Sequence, residues 1–250
     1  METFLQVKLP FKLFSSRRML MLAFRVNSEY AKMTEIIPGL FICGVSSLNP
    51  SSISHYGITH IINATNEVPN LKSLINIQRT KLWIDDTPET NIYPHLEQQS
   101  DLIRAIIADG GKVLVHCVAG VSRSASICLA YLTKYHCRTL RDAYHLMAKK
   151  RPLVRPNIGF WRQLISFEQY VKKVPSSVRL IRDEMQEYAL LPDVYLKEVI
   201  SERSQDITKC YNKTISSNID TKYEKSNSFV KLKFHPVLES LPEMVEASAS

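Results

Sequence analysis

Long apolar runs are missing from this 250-residue chain: none approaches the roughly 20 consecutive residues of a membrane-spanning helix, and the most apolar early run stops at Met19–Phe24. A soluble protein with no membrane span is expected. Cysteine is sparse, and the five present (Cys43, Cys117, Cys128, Cys137 and Cys210) form no Cys-x2-Cys pair. That excludes a disulfide-dense scaffold and a zinc site of that spacing, and it favours a reducing compartment. Aromatic residues are not interleaved with Arg and Lys as they are in single-strand binders, so nucleic acid is not an expected partner. No internal repeat is present. What the chain does have is 45% hydrophobic residues, enough to bury a sizeable core.

The formal charge of +8 is unevenly spread. Residues 1–33 carry six basic and two acidic groups, residues 34–174 carry 16 and 10, and residues 175–250 carry 10 and 12. The basic middle segment favours anionic partners. This divides the chain into a basic N-terminal extension (1–33), a central domain (34–174) and a polar, mostly irregular tail (175–250). Within the tail, Leu190–Val199 is apolar enough to pack. The N-terminal segment sets Phe4, Leu5, Leu9, Phe11, Leu13 and Phe14 among Lys8, Lys12, Arg17 and Arg18. It fits a flexible extension, for which Pro10 and Glu2 speak, or an amphipathic targeting segment.

From Ile36 onward, short apolar runs alternate with helical periodicity, the pattern of an α/β domain with a central mixed sheet flanked by helices. Strands are expected at Leu40–Cys43, Thr59–Asn63, Thr80–Ile84 and Lys112–His116. Helices are expected over Pro94–Asp109, from Ser122, from Thr139 with Asp142 three residues on, and from Asn157 with Phe160, Leu164 and Phe167 buried.

The stretch Val113–Ser124 reads Val-Leu-Val-His-Cys-Val-Ala-Gly-Val-Ser-Arg-Ser: a buried strand, a tight loop and a helix start. Such a junction turns successive backbone N–H groups inward and adds the positive end of the helix dipole, which makes an anion cradle. Cys117 opens it and Arg123 closes it six positions later. The thiolate is the reactive form of cysteine and is favoured at helix N-termini and near cations, so Cys117 is expected to be ionised. Arg123 supplies a planar fork that matches two phosphate oxygens. Gly120 is expected to let the loop close without a side chain in the cradle. An ordinary buried cysteine after a strand is the plain alternative. His116 before the pair, Gly120 within it and Ser124 after it argue against that alternative.

The run His116–Ser124 resembles the phosphate loop of the protein tyrosine phosphatase superfamily, specifically the atypical (small) dual-specificity phosphatases. The similarity extends from about Ile36 to Val171 and includes Arg151-Pro-Leu-Val-Arg-Pro-Asn-Ile-Gly-Phe-Trp161; Leu191–Val199 is similar to a C-terminal extension of one subgroup. The resemblance implies a two-step reaction through a phosphocysteine, with Cys117 as nucleophile. It implies that backbone donors of Val118, Ala119, Gly120, Val121, Ser122 and Arg123, with the Arg123 side chain, hold the phosphate oxygens. It places the general acid in Trp83-Ile-Asp-Asp-Thr-Pro88 at Asp86, with Asp85 as the competing carboxylate. Ser124 is either the hydroxyl that assists thiolate departure or a serine of the helix N-cap region, and His116 orders the loop. Neither metal nor cofactor is expected.

Phosphorylated proteins are the expected partners, with phosphotyrosine, phosphoserine and phosphothreonine all admitted. Val118, Ala119 and Val121 are uncharged, whereas a phosphoinositide phosphatase would need lysines there; that activity and a non-catalytic phospho-binding module are the alternatives. The cluster Lys149, Lys150, Arg151 and Arg155 either guides acidic substrates or is a solvated helix end. Cys43 and Cys128 are core residues or resolving thiols for an oxidised Cys117. Cytoplasmic, or nuclear, localisation is expected, with mitochondrial targeting by residues 1–33 as the alternative. Residues 203–250 are too polar to offset the entropy of ordering. A chain ending at Glu202 should keep wild-type aryl phosphatase activity and melting temperature, while one ending at Val174 should melt lower. Loss of most activity on removing only 203–250 would overturn that boundary.

Overall fold

A computed structural model describes residues 4–12, 19–27, 32–70, 77–183 and 186–196. Leu13, Phe14, Arg17, Arg18, Cys210 and residues 197–250 lie outside the described residues. Two compact units are distinguished, one that includes Met1–Val178 and one that begins at Arg179.

The first unit opens with an antiparallel pair, β1 (Phe4–Lys12) and β2 (Met19–Asn27), in which Pro10 stands opposite Met21. Both strands of a two-stranded ribbon are edges, where proline is tolerated. Composition had shown there only a basic extension. The central sheet follows: β3 (Thr34–Ile37), β4 (Leu40–Gly44), β5 (His60–Ala64), β6 (Gln78–Leu82) and β7 (Val113–Cys117), in the order β3-β4-β7-β5-β6. Only β3 runs antiparallel, to β4; β4, β7, β5 and β6 are parallel. The sheet is thus mixed; three of its four expected strands lie within one residue of their expected bounds, and β6 begins and ends two residues before the expected Thr80–Ile84.

β4, β5 and β7 are buried at every position, as a parallel sheet covered on both faces requires. Phe41, Cys43, Ile61 and Leu114 share one cluster with Ile53 and Ile58. Ile53 belongs to the short helix α1 (Pro50–Tyr56), which Asn49 caps by accepting the Ser52 N–H at 2.8 Å and Gly57 ends at φ +66°. At seven residues, α1 is too short for periodicity to announce. The longer helices are α2 (Tyr93–Ala108), α3 (Arg123–Tyr131), α4 (Leu140–Lys150) and α5 (Ile158–Lys172). α3 continues as a π turn over Leu132–His136.

The caps are the expected ones. Thr139 accepts the Asp142 N–H at 3.0 Å and Asn157 accepts that of Phe160 at 3.0 Å. Phe160, Leu164 and Phe167 are buried. β7 sits between β4 and β5, so its carboxyl end opens at a switch in strand order, where open α/β sheets place their ligands. Of the second unit, the described part is a hairpin of β8 (Leu180–Asp183) and β9 (Gln186–Pro192) followed by a 3-10 turn at Asp193–Tyr195. The tail therefore carries regular structure that its polar composition did not signal.

Candidate active site

The loop after β7 is held from outside, carbonyl by carbonyl. Val118 O accepts from Val45 N at 2.9 Å, Val121 O from Arg155 N at 2.9 Å and Ser122 O from Ser126 N at 2.9 Å. Gly120 O and Ala119 O accept from Arg151 Nε and Nη2 at 2.8 and 3.2 Å. In a trans peptide the N–H that follows a carbonyl points the opposite way, and no peptide among the described residues is cis. The amides of Ala119, Gly120, Val121, Ser122 and Arg123 are therefore turned into the loop.

Cys117 Sγ lies where they converge. It accepts the Gly120 N–H at 3.2 Å and the Ser124 hydroxyl at 3.2 Å. Ser124 thus faces the sulfur rather than capping α3, whose N-cap residue is Ser122. Gly120 is required for a different reason from the one expected. Its φ is +71°, and a Cβ there would stand 2.6 Å from the Cys43 carbonyl carbon and 2.7 Å from Arg151 Nη2. The close approach is to the outer wall, not to the cradle interior.

Arg123 is 3% exposed, and its guanidinium is divided between two tasks. Nη1 donates to Glu67 Oε2 at 2.7 Å and to Ile84 O at 3.2 Å. Nε is buried with no hydrogen-bond partner and stands 3.6 Å from Asp86 Oδ2. A buried donor left without an acceptor costs about 1–3 kcal/mol, a cost that an incoming oxyanion removes. Burial opposes ionisation of Glu67, but the hydrogen bond and charge of Arg123 outweigh it and its pKa is lowered. The stability this pair contributes is present above the ordinary carboxylate range and is lost as pH falls through the lowered pKa of Glu67.

The two neighbouring carboxylates are separated by their partners. Asp86 Oδ1 accepts from Ser122 Oγ at 2.7 Å and Asn157 Nδ2 at 3.0 Å, with Oδ2 toward Arg123. Asp85 Oδ1 accepts instead from Asn66 Nδ2 at 3.0 Å. Of the two, Asp86 is the one beside the cradle.

The family model for the dual specificity phosphatase catalytic domain matches residues 40–170. The chain belongs to the dual specificity phosphatases. It is 42% identical over 173 residues to dual specificity protein phosphatase 14 of Mus musculus, a match covering 69% of this chain and 85% of that protein. To dual specificity protein phosphatase 21 of Homo sapiens it is 39% identical over 167 residues, covering 66% and 85%. Among solved structures, a mouse dual specificity phosphatase complexed with zinc tungstate superposes with a TM-score of 0.54 at 30% identity, covering 56% of this chain and 89% of that one. DUSP15 gives 0.51 at 31% identity, covering 56% and 92%.

For this phosphatase the basic cluster at the end of α4 and just beyond it divides. Lys149, Lys150 and Arg155 are exposed, but Arg151 is 3% exposed and anchors the phosphate loop, with Nη1 also donating to Lys32 O at 2.8 Å. A buried role replaces the solvated one for Arg151. Cys43 and Cys128 are fully buried, and burial pushes the Cys43 thiol up to about 12 and raises the Cys128 thiol as well. Both are core residues with little thiolate character. His116 is pushed down to about 4, chiefly by burial, so it is neutral near pH 7 and does not serve as a general acid.

Sequence reasoning missed Glu67 as the partner of Arg123, and saw Asn157 only as a helix cap. It also missed Lys81, whose Nζ donates to Val68 O at 2.6 Å and so ties down the segment bearing Glu67. Burial, assisted by the charge of Arg123 and opposed by Glu67, lowers Lys81 to about 8. Among the described residues, no three His, Cys, Asp or Glu side chains are grouped to hold a metal ion, and no helix is long and apolar enough to cross a membrane.

Arg151→Met leaves two loop carbonyls without donors. It should lower unfolding free energy by about 2 kcal/mol or more and reduce kcat/KM for an aryl phosphate by about tenfold as the amides lose their aim. Arg151→Lys should not restore activity, because a single ammonium lacks the planar fork. Wild-type kinetics in Arg151→Met would refute this role.

Proposed function

We propose that this chain hydrolyses phosphotyrosine and phosphoserine or phosphothreonine in proteins through a phosphocysteine formed on Cys117. The observation that carries the proposal is the convergence on Cys117 Sγ of two donors at 3.2 Å within a loop of inward amides closed by Arg123. Sγ attacks phosphorus in line, the P–O bond to the side-chain oxygen breaks, and Asp86 gives that oxygen its proton. A water then attacks the phosphocysteine while Asp86 takes its proton. The electron pair of the S–P bond returns to sulfur, where the Ser124 hydroxyl receives it with a hydrogen bond.

The amides of Ala119, Gly120, Val121, Ser122 and Arg123, with Arg123 Nε, meet the three equatorial oxygens and bind them best when charge is greatest. Val118, whose carbonyl faces outward to Val45, belongs to the same cradle. The uncharged side chains of Val118, Ala119 and Val121 favour a single phosphate over a phosphoinositide headgroup. Residence in the cytoplasm or nucleus is part of the same proposal, in keeping with four described cysteines that are all free.

Turnover of an aryl phosphate by Cys117→Ser, Asp86→Asn and Asp85→Asn tests these roles together. Cys117→Ser should keep the wild-type melting temperature and lose all turnover. Asp86→Asn should lower kcat by about a hundredfold or more, with little change in KM, and abolish the basic limb of the pH profile. Asp85→Asn should do neither. Near-wild-type activity in Cys117→Ser would rule out the nucleophile, and exchanged behaviour of the two Asp variants would move the acid by one residue.

A further inference from the structure

The segment that carries Asp86 is gripped by the first two turns of α5 at three separate points. Asn157 does two things with one side chain: Oδ1 accepts the Phe160 N–H at 3.0 Å, and Nδ2 donates to Asp86 Oδ1 at 3.0 Å. Two residues on, Gly159 lies so near the segment that a Cβ would stand 1.8 Å from the Pro88 carbonyl oxygen and 2.6 Å from Pro88 Cα. Further along, Gln163 Oε1 accepts the N–H groups of Ile92 and Tyr93 at 2.8 and 2.9 Å, and Nε2 donates to Thr90 O at 2.8 Å. Ile92 is the N-cap residue of α2 and offers no capping side chain. Gln163 therefore supplies the acceptor that the orphan donors of that helix start need.

The hydrogen bonds around Asp86 also have a fixed direction. A backbone N–H can only donate, so the Asn157 N–H donates to Ser122 Oγ at 3.1 Å, and the Ser122 hydroxyl hydrogen goes to Asp86 Oδ1 at 2.7 Å. The same rule at Phe160 N fixes the Asn157 amide, leaving Nδ2 toward Asp86. Oδ1 thus faces two donors and has no room for a proton of its own. The acid proton belongs on Oδ2, the oxygen 3.6 Å from Arg123 Nε at the edge of the cradle.

We propose that Asn157, with Gly159 and Gln163, is the positioning apparatus of the general acid: it reserves Oδ2 for the proton and holds residues 86–93 in the catalytic position before substrate arrives. This rests on Asp86 being the acid. The three residues touch no reacting atom and act through Asp86. Their loss should therefore matter in proportion to how much the leaving oxygen needs a proton.

The test uses the full chain and two substrates, phenyl phosphate, whose phenoxide needs protonation to leave, and dinitrophenyl phosphate, whose phenoxide leaves without it. Asn157→Ser keeps the helix cap, since serine caps as well as asparagine, and removes the donor to Asp86. Its kcat/KM should fall about tenfold for phenyl phosphate and less than about twofold for dinitrophenyl phosphate, with an unchanged melting temperature. Gly159→Ala, which pushes Pro88 away, should show the same selectivity. Asp86→Asn is measured in parallel. If Asp86→Asn impairs both substrates equally, Asp86 is not the acid and the positioning role falls with it. If Asp86→Asn is selective but Asn157→Ser is silent or lowers both substrates equally, the positioning role alone is overturned.

Discussion

A peptide loop presents its amides to an anion only if something else takes its carbonyls, and in this chain five donors do so. Val45 N, Arg151 Nε and Nη2, Arg155 N and Ser126 N take on that task from the residue just after β4, the segment after α4 and the first turn of α3. The peptides from Val118 to Arg123 are thereby turned so that their N–H groups face Cys117. The rest follows from this constraint. The left-handed conformation at Gly120 is what lets its carbonyl reach Arg151 while its own N–H reaches Cys117 Sγ at 3.2 Å. The sheet order that sets β7 between β4 and β5 brings those outer donors within reach.

The charges are arranged around that loop with the same economy. Glu67 occupies one edge of the Arg123 guanidinium and Asp86 stands near another, so the fork is oriented by carboxylates before any phosphate is present. Preorganised groups of this kind need no rearrangement as charge develops, which is where most electrostatic catalysis originates. Each carboxylate is itself held: Glu67 on a segment tied by Lys81, and Asp86 by Ser122 and Asn157.

What was legible in the sequence was whatever is written locally. The run Val113–Ser124, the caps at Thr139 and Asn157, and the apolar face of α5 each declare themselves within a few residues, and the structure places them as read. The partnerships of the site are written at long range. Glu67 and Arg123 are 56 positions apart, and Asp86 and Asn157 are 71 apart. No periodicity or spacing links such pairs. Arg151 misled for a related reason: beside Lys149 and Lys150 at a helix end it has the look of a solvated cation, and only the fold shows that it turns inward to two carbonyls. β1, β2, β8 and β9 were missed because a two-stranded ribbon needs no alternation strong enough to stand out from a polar or basic segment.

The account stands on a covalent intermediate at Cys117, and that species can be captured. Ser124→Ala removes the hydroxyl at 3.2 Å from Cys117 Sγ and should slow hydrolysis of the phosphocysteine more than its formation. The measurement is acid quenching of Ser124→Ala during turnover of dinitrophenyl phosphate, followed by peptide mass spectrometry. The account predicts one phosphoryl group on the peptide containing Cys117, absent in the Cys117→Ser, Ser124→Ala double variant. A phosphoryl group on any other residue, or none under quench conditions where phosphocysteine survives, would contradict it.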